Sequence, residues 1–149
     1  MKTIKGNLLD YAEAGHLDVI VHGCNCFQAM GGGIAAQIAQ RFPEAVEADY
    51  RTERGDSEKL GTISVAKHGE LTIVNGYTQY MYSSGQREVS YVAVLGVMRE
   101  VKRRFGDLRI GYPKIGAGLA GGDWEIIAPI IECELTGCDH TLFVLEGPC

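Results

Sequence analysis

The sequence predicts an α/β domain of three layers, a mixed sheet of about six strands with helices on both faces. Three observations carry that expectation. Short apolar runs bounded by turn residues occur at 18–24 and 109–115, as expected for strands buried on both faces. Each run opens into a glycine-rich stretch and then a stripe of apolar residues at helical spacing. Between these two strand-loop-helix units, 61–67 and Leu71–Tyr77 read as a strand pair joined near His68 and Gly69.

Residues 3–5 supply a first strand. After the first glycine stretch, Ile34, Ala35, Ile38, Ala39 and Phe42 recur at helical spacing, and Pro43 either stops that helix or opens the next. A long amphipathic helix is predicted over 88–105. Its basic end, Lys102, Arg103 and Arg104 before Gly106, complements the helix dipole and reads as a solvated helix terminus. After the second glycine stretch, Ile126, Ile127, Ile130, Ile131 and Leu135 form another stripe. Pro129 lies inside it, so this helix either starts late or kinks, because an interior proline removes a backbone donor. Residues 140–145 supply the last strand.

A length of 149 residues, 46% of them hydrophobic, suits one compact domain over 1–149 with no linker. The first fifteen residues lack the apolar core of a signal peptide, and no apolar run approaches the ~20 residues that span a bilayer. A cytosolic protein with no membrane partner is expected. The net charge of -5 argues against a groove that grips long nucleic acid, which needs a basic stripe. A small anion held by backbone amides remains compatible with it. Cys24, Cys26, Cys133, Cys138 and Cys149 show no paired CxxC spacing and read as reduced thiols. His16, His22, His68 and His140 form no ligand-spaced cluster with them, so neither metal nor cofactor is expected. Nothing in the sequence speaks to oligomeric state.

The two glycine stretches are the most informative feature. In an open α/β sheet, ligands bind beyond the carboxyl ends of the strands, so two such units can bring both loops to one rim. Gly31, Gly32 and Gly33 let a ligand approach the backbone, and the amides leading into the helix at Ile34 point at whatever anion lies there. Gly116, Ala117, Gly118, Leu119, Ala120 and Gly121 repeat the arrangement. Two facing cradles suit a diphosphate, one phosphoryl group to each. Glycine also serves tight turns and close packing. The second loop is literally a GxGxxG, but a dinucleotide fold needs that fingerprint early, with further strand-helix units behind it. Here it comes near the end of the sequence.

Four segments in order resemble the macro domain family: Gly6-Asn7-Leu8-Leu9, Val21-His22-Gly23-Cys24-Asn25, Gly31-Gly32-Gly33-Ile34-Ala35, and the stretch 113–124. Together they frame nearly the whole chain. The resemblance implies a cleft for ADP-ribose or a derivative, with Gly31 to Ala35 and Gly116 to Ala120 around the diphosphate and Asn25 near the distal ribose. It also sets Asn7 at the position that meets the adenine amino group, and adds Leu8, Leu9, Cys24, Ile115 and Gly121 to the ligand-binding residues. Two positions depart from the common pattern. Asn7 stands where many members have an aspartate, so adenine recognition would lack a charge. His22 stands where many have an asparagine, and the sequence His-Gly-Cys-Asn is similar to the ADP-ribose-1''-phosphate phosphatase-like branch of fungal, phage and bacterial members.

The resemblance makes hydrolysis of ADP-ribose 1''-phosphate to ADP-ribose and phosphate the expected activity. Three residues are candidates for the chemistry. His22 would transfer a proton near the distal ribose, or else is a buried histidine satisfied by backbone. Asn25 would hold ribose hydroxyls, or else fixes a turn. Asp123, just before Trp124, would orient His22 or a water, or else caps the last helix. Trp124 reads as core; Tyr77, Tyr80 and Tyr82 either line the distal pocket or end a half-buried strand. Removal of ADP-ribose from a macromolecule, or deacetylation of O-acetyl-ADP-ribose, is an alternative. Members similar to glutamate and DNA-base de-ADP-ribosylases use a lysine after the central strand, and some an acid in the second loop; here 75–80 has no lysine and the loop carries Ala120. A module that binds ADP-ribose without turnover is the third reading.

Overall fold

The structure, a computed structural model, describes residues 1–82, 87–118 and 120–145. Elements follow in the order β1 (Lys2–Lys5), α1 (Leu8–Glu13), β2 (Val19–Cys24), α2 (Gly33–Arg41), α3 (Pro43–Tyr50), a 3-10 turn (Ser57–Lys59), β3 (Ile63–His68), β4 (Leu71–Tyr77), α4 (Tyr91–Phe105), β5 (Arg109–Tyr112), α5 (Trp124–Glu134) and β6 (Asp139–Val144). The six strands form one mixed sheet in the order β1-β6-β5-β2-β4-β3. Only the β3–β4 hairpin is antiparallel.

Both faces of the sheet are covered, which is why its central strands read as unbroken apolar runs. Val19 and Val21 of β2 point into one core with Val97 and Met98 of α4 and Ile127 and Ile131 of α5. Ile20, the residue between them, points into the other, with Leu8 and Leu9 of α1, Ile38 of α2 and Phe42. Each such fully buried aliphatic side chain contributes about 1.5 to 3 kcal/mol. A third, smaller cluster joins Cys24, Cys26 and Tyr77.

Helix boundaries follow the caps. Asn7 Oδ1 accepts from the backbone of Leu9 at 2.9 Å and Asp10 at 3.3 Å, starting a helix that periodicity alone did not predict. Pro43 opens α3 at a position where its missing N–H costs nothing. Ser90 Oγ accepts from Ala93, so α4 starts at Tyr91 rather than 88. Strand β5 ends at Tyr112, short of the predicted 115, because Pro113 has no donor and Ile115 N turns back to the Pro113 carbonyl at 2.7 Å.

Helix α5 does not start late: it runs from Trp124 to Glu134 with the proline inside it, at an exposed position. The lost backbone bond makes Pro129→Ala an expected stabilising change of about 1 to 3 kcal/mol. A rise in the urea midpoint would show it; an unchanged or lower midpoint would mean the proline is held without cost. No helix among the described residues is long and apolar enough to cross a membrane.

The two strands that precede the glycine loops are neighbours. β2 pairs with β5 in parallel, Val19 against Ile110 and Ile20 against Gly111. Their carboxyl ends therefore leave the same edge of the sheet side by side.

A candidate site between two glycine loops

Along that edge lies a cavity of about 420 Å³. Of the residues singled out from the sequence, Cys24, Asn25, Gly31, Gly32, Gly33, Ile34, Ala35, Ile115, Gly116, Gly118 and Ala120 line it. Ala117 and Gly121 belong to the same loop without lining the cavity, and Leu119 and Cys149 lie outside the described residues.

The first loop enters α2 through Gly33, whose φ of 57° belongs to the left-handed region that favours glycine. Helix α2 has no side-chain cap and no acidic residue in its first turn. Its leading amides thus keep their partial positive charge toward the cleft, as anion binding requires. The second loop folds on itself, Gly122 N donating to the Gly116 carbonyl at 2.7 Å and Gly121 N to that of Gly118 at 3.1 Å. The Ala120 carbonyl accepts from Glu88 N at 2.8 Å and anchors the loop to the segment before α4. Gly23, at the end of β2, is needed for space, because a Cβ there would stand 2.7 Å from Thr78 Oγ1. That hydroxyl is buried without a hydrogen-bond partner among the described residues.

Asn25 lines the cavity and shapes it. Its Oδ1 accepts from Phe27 N at 2.9 Å and Ala29 N at 3.3 Å, while Nδ2 donates to the Ala29 carbonyl at 2.7 Å. The turn-fixing role is therefore present, and one hydrogen of the amide group is left over for a ligand hydroxyl.

His22 stands one residue before the cavity wall begins at Gly23. It sits on the α3 side of β2, fully buried, and is not part of the cavity wall. Its Nε2 lies 2.7 Å from Asn75 Oδ1. Asn75 Nδ2 is committed to the Ala45 carbonyl at 2.9 Å and to Ser64 Oγ, so Oδ1 faces the imidazole and Nε2 must be the donor. Burial outweighs that hydrogen bond and pushes the His22 pKa down to about 4. The imidazole is thus held neutral inside the protein, with its Nε2 3.5 Å from the Sγ of Cys24 in the cavity wall.

Asp123 makes the helix cap that was one of its two expected roles. Its carboxylate caps α5, accepting from Glu125 N at 2.9 Å, and it does not line the cavity. Asn7 spends its side-chain carbonyl on α1, and Leu8 and Leu9 are buried core residues. None of the three reaches the cavity, because α1 uses this segment to cover the sheet. Trp124 packs on the α4–α5 core as expected. Of the three tyrosines only Tyr82 lines the cavity; Tyr77 is buried and Tyr80 donates to the Gly55 carbonyl at 2.8 Å.

Sequence reasoning passed over Lys114, Gln79, Ala29 and Met30, all in the wall. Lys114 was within the 113–124 motif, where a cation beside a phosphate cradle is a usable signal. The others are brought in by the turn after Asn25 and by the segment after β4, neither of which has a periodicity to read. The Cys24 thiol is pushed well above its ordinary pKa by burial, so it stands at the cleft floor as a thiol. No group of three or more acidic, histidine or cysteine side chains among the described residues has the arrangement to hold a metal.

Six strands in one mixed sheet, helices on both faces and glycine loops at the ends of two adjacent parallel strands define a three-layer α/β domain. The macro domain family model matches residues 21–131, and the chain belongs to that family. It is 38% identical over 143 residues to an uncharacterized 17.5 kDa protein of Enterobacteria phage T4, covering 89% of this chain and 88% of that one. It is 29% identical over 133 residues to the ADP-ribose 1''-phosphate phosphatase of Candida albicans, covering 82% and 85%. A solved Bacteroides thetaiotaomicron protein of unknown function superposes with a TM-score of 0.81 at 26% identity, covering 97% of both chains.

Proposed function

We propose that the cleft binds ADP-ribose, the diphosphate lying between the two glycine loops, and that the protein hydrolyses ADP-ribose 1''-phosphate to ADP-ribose and inorganic phosphate. The observation that carries the reading is the pairing of β2 with β5, which sets an uncapped helix start and a self-folded glycine loop on opposite walls of one cavity. The phosphatase named above in Candida albicans supports the choice of substrate. In this reaction a water oxygen attacks phosphorus, the bond from phosphorus to the 1'' oxygen breaks, and that oxygen leaves with the electron pair and takes a proton. Such a reaction asks the protein mainly for positioning and charge stabilisation. Asn25 would hold the distal ribose and Lys114 would offset phosphate charge. His22 and Asp123 act behind the wall, on its shape.

Titration calorimetry with ADP-ribose, paired with a phosphate-release assay on ADP-ribose 1''-phosphate, tests the reading. Binding and release together are expected, and Asn25→Ala is expected to lower kcat/KM by about a hundredfold because it dissolves the turn as well as the ribose contact. Tight ADP-ribose binding with no phosphate release would replace the phosphatase with a binding module. That second reading draws on the absence of His22 and Asp123 from the cavity wall. No binding at all would remove both.

A further inference from the structure

The segment that follows α3, residues 51–60, has no role in the proposed chemistry, yet its hydrogen bonds converge on the turn after Asn25. Gln28 Nε2 donates to the carbonyls of Thr52 at 2.9 Å and Tyr50 at 3.2 Å, at the end of α3 and just past it. The Cys26 carbonyl accepts from Gly55 N at 2.7 Å and from the buried Lys59 Nζ at 3.2 Å. Arg54 Nε reaches the Phe27 carbonyl at 3.4 Å. Lys59 is itself fixed, donating to Thr52 Oγ1 at 2.8 Å with its ammonium 4.7 Å from the centre of the Tyr77 ring. The Tyr77 hydroxyl in turn donates to Asp49 Oδ1 at 2.7 Å. Three successive residues of the turn, Cys26, Phe27 and Gln28, are thus held from one side.

The backbone shows what the hold opposes. Gln28 has a φ of 60°, the only positive value at a non-glycine among the described residues. A glutamine reaches that region against its own side chain, and the conformation persists only where surrounding bonds over-determine it. Phe27 is seated close over Gly55, whose φ is 80° and where a Cβ would come within 3.2 Å of the Phe27 ring. Neither Gln28 nor Lys59 lines the cavity between the glycine loops, whereas Asn25, Ala29 and Met30 on either side of Gln28 do.

From these contacts we infer that Gln28 and Lys59 are positioning residues: they clamp the 26–28 turn to the segment after α3 and so set the end of the cleft that receives the distal ribose. The clamp touches only that end, because the uncapped start of α2 and the second loop make none of these bonds. Gln28 and Lys59 are therefore determinants of selectivity for ADP-ribose over ligands that stop at the diphosphate. The inference rests on the proposed ligand and adds to it the residues that distinguish the ligand's two halves.

Calorimetry with two ligands separates this role from a merely structural one. Wild type is measured with ADP-ribose and with ADP, then Gln28→Ala, Gln28→Gly and Lys59→Met with each. For Gln28→Ala and Lys59→Met, ADP-ribose affinity is expected to fall about tenfold while ADP affinity stays within about twofold. Gln28→Gly accepts the positive φ, folds without the strain and still lacks the clamping amide, so it is expected to show the same selective loss. Equal losses for the two ligands, or no loss in Gln28→Gly, would overturn the clamp. A wild type that binds ADP but gains nothing from the distal ribose would overturn the inference and leave diphosphate binding in place. A wild type that binds neither overturns the proposed ligand and the clamp with it.

Discussion

Acidification is expected to destabilise the folded protein steeply between pH 6.5 and 4, with His22 contributing about 3 kcal/mol of the loss. The sign follows from the burial of a neutral imidazole. In the unfolded chain the ring takes up a proton near its ordinary pKa of 6.5; in the folded protein it resists until about 4. Between those values the unfolded state binds more protons, so stability falls as pH falls and is fully retained above 6.5. The gap between those two values, at about 1.4 kcal/mol per pH unit, sets the magnitude. His140, whose pKa is also lowered by desolvation, adds to the slope and is common to wild type and variants. The decisive comparison is therefore His22→Gln, which keeps an amide donor for Asn75 Oδ1 but does not titrate. Urea midpoints followed from pH 7 to 4 are expected to fall less in the variant, and parallel curves would sink the assignment. The same variant bears on the reaction: if His22 acts only behind the wall, phosphate release by His22→Gln persists at neutral pH. A loss of more than a thousandfold with an intact fold would restore its direct role in proton transfer.

Why His22 was legible as a residue and not as a role lies in the pleat of β2. Sequence identifies the strand, and an alternation count puts Val19, Val21 and Gly23 on one face and Ile20, His22 and Cys24 on the other. It does not say how far along the strand the cleft begins. The structure puts the boundary at Gly23 and Cys24, one residue beyond His22. The glycine loops were legible because their constraint is local: a positive φ at Gly33 or Gly116 is a property of that residue and its neighbours. The sheet and its mixed pairing were legible for the same reason, since strand length, hairpin and helical stripes are short-range signals. Asp123 was ambiguous in sequence because the same side chain caps helices and binds ligands, and the cap that Asn7 supplies to α1 was not foreseen because no periodic helix pattern follows it. The clamp on Gln28 was invisible, since its partners at Tyr50 and Thr52 are backbone carbonyls brought near by the tertiary fold.

Gly116→Ala is expected to have the largest effect of any single methyl added to the cleft: a loss of about 2 to 5 kcal/mol in stability together with the loss of ADP-ribose binding. Two costs add. Gly116 has a φ of 76°, where an L side chain costs about 1 to 2 kcal/mol. Its new Cβ would also stand 2.6 Å from Val89 Cγ2 and 3.2 Å from Ile127 Cδ1. Val89 is 2% exposed and Ile127 fully buried, so neither can yield without repacking the core between α4 and α5, an overpacking cost of about 1 to 3 kcal/mol. Relief by moving the loop would break the bond from Gly122 N to the Gly116 carbonyl that closes it, and with it the amide geometry offered to a phosphate. Gly118→Ala is the control on the same loop. Its φ is not positive and an added Cβ meets nothing within 4 Å, so stability is expected to change by less than about 0.5 kcal/mol. Thermal unfolding should place Gly116→Ala roughly 5 to 15 °C below wild type and Gly118→Ala beside it. If both variants melt with wild type and bind ADP-ribose equally well, the second loop is neither built by Gly116 nor occupied by the ligand.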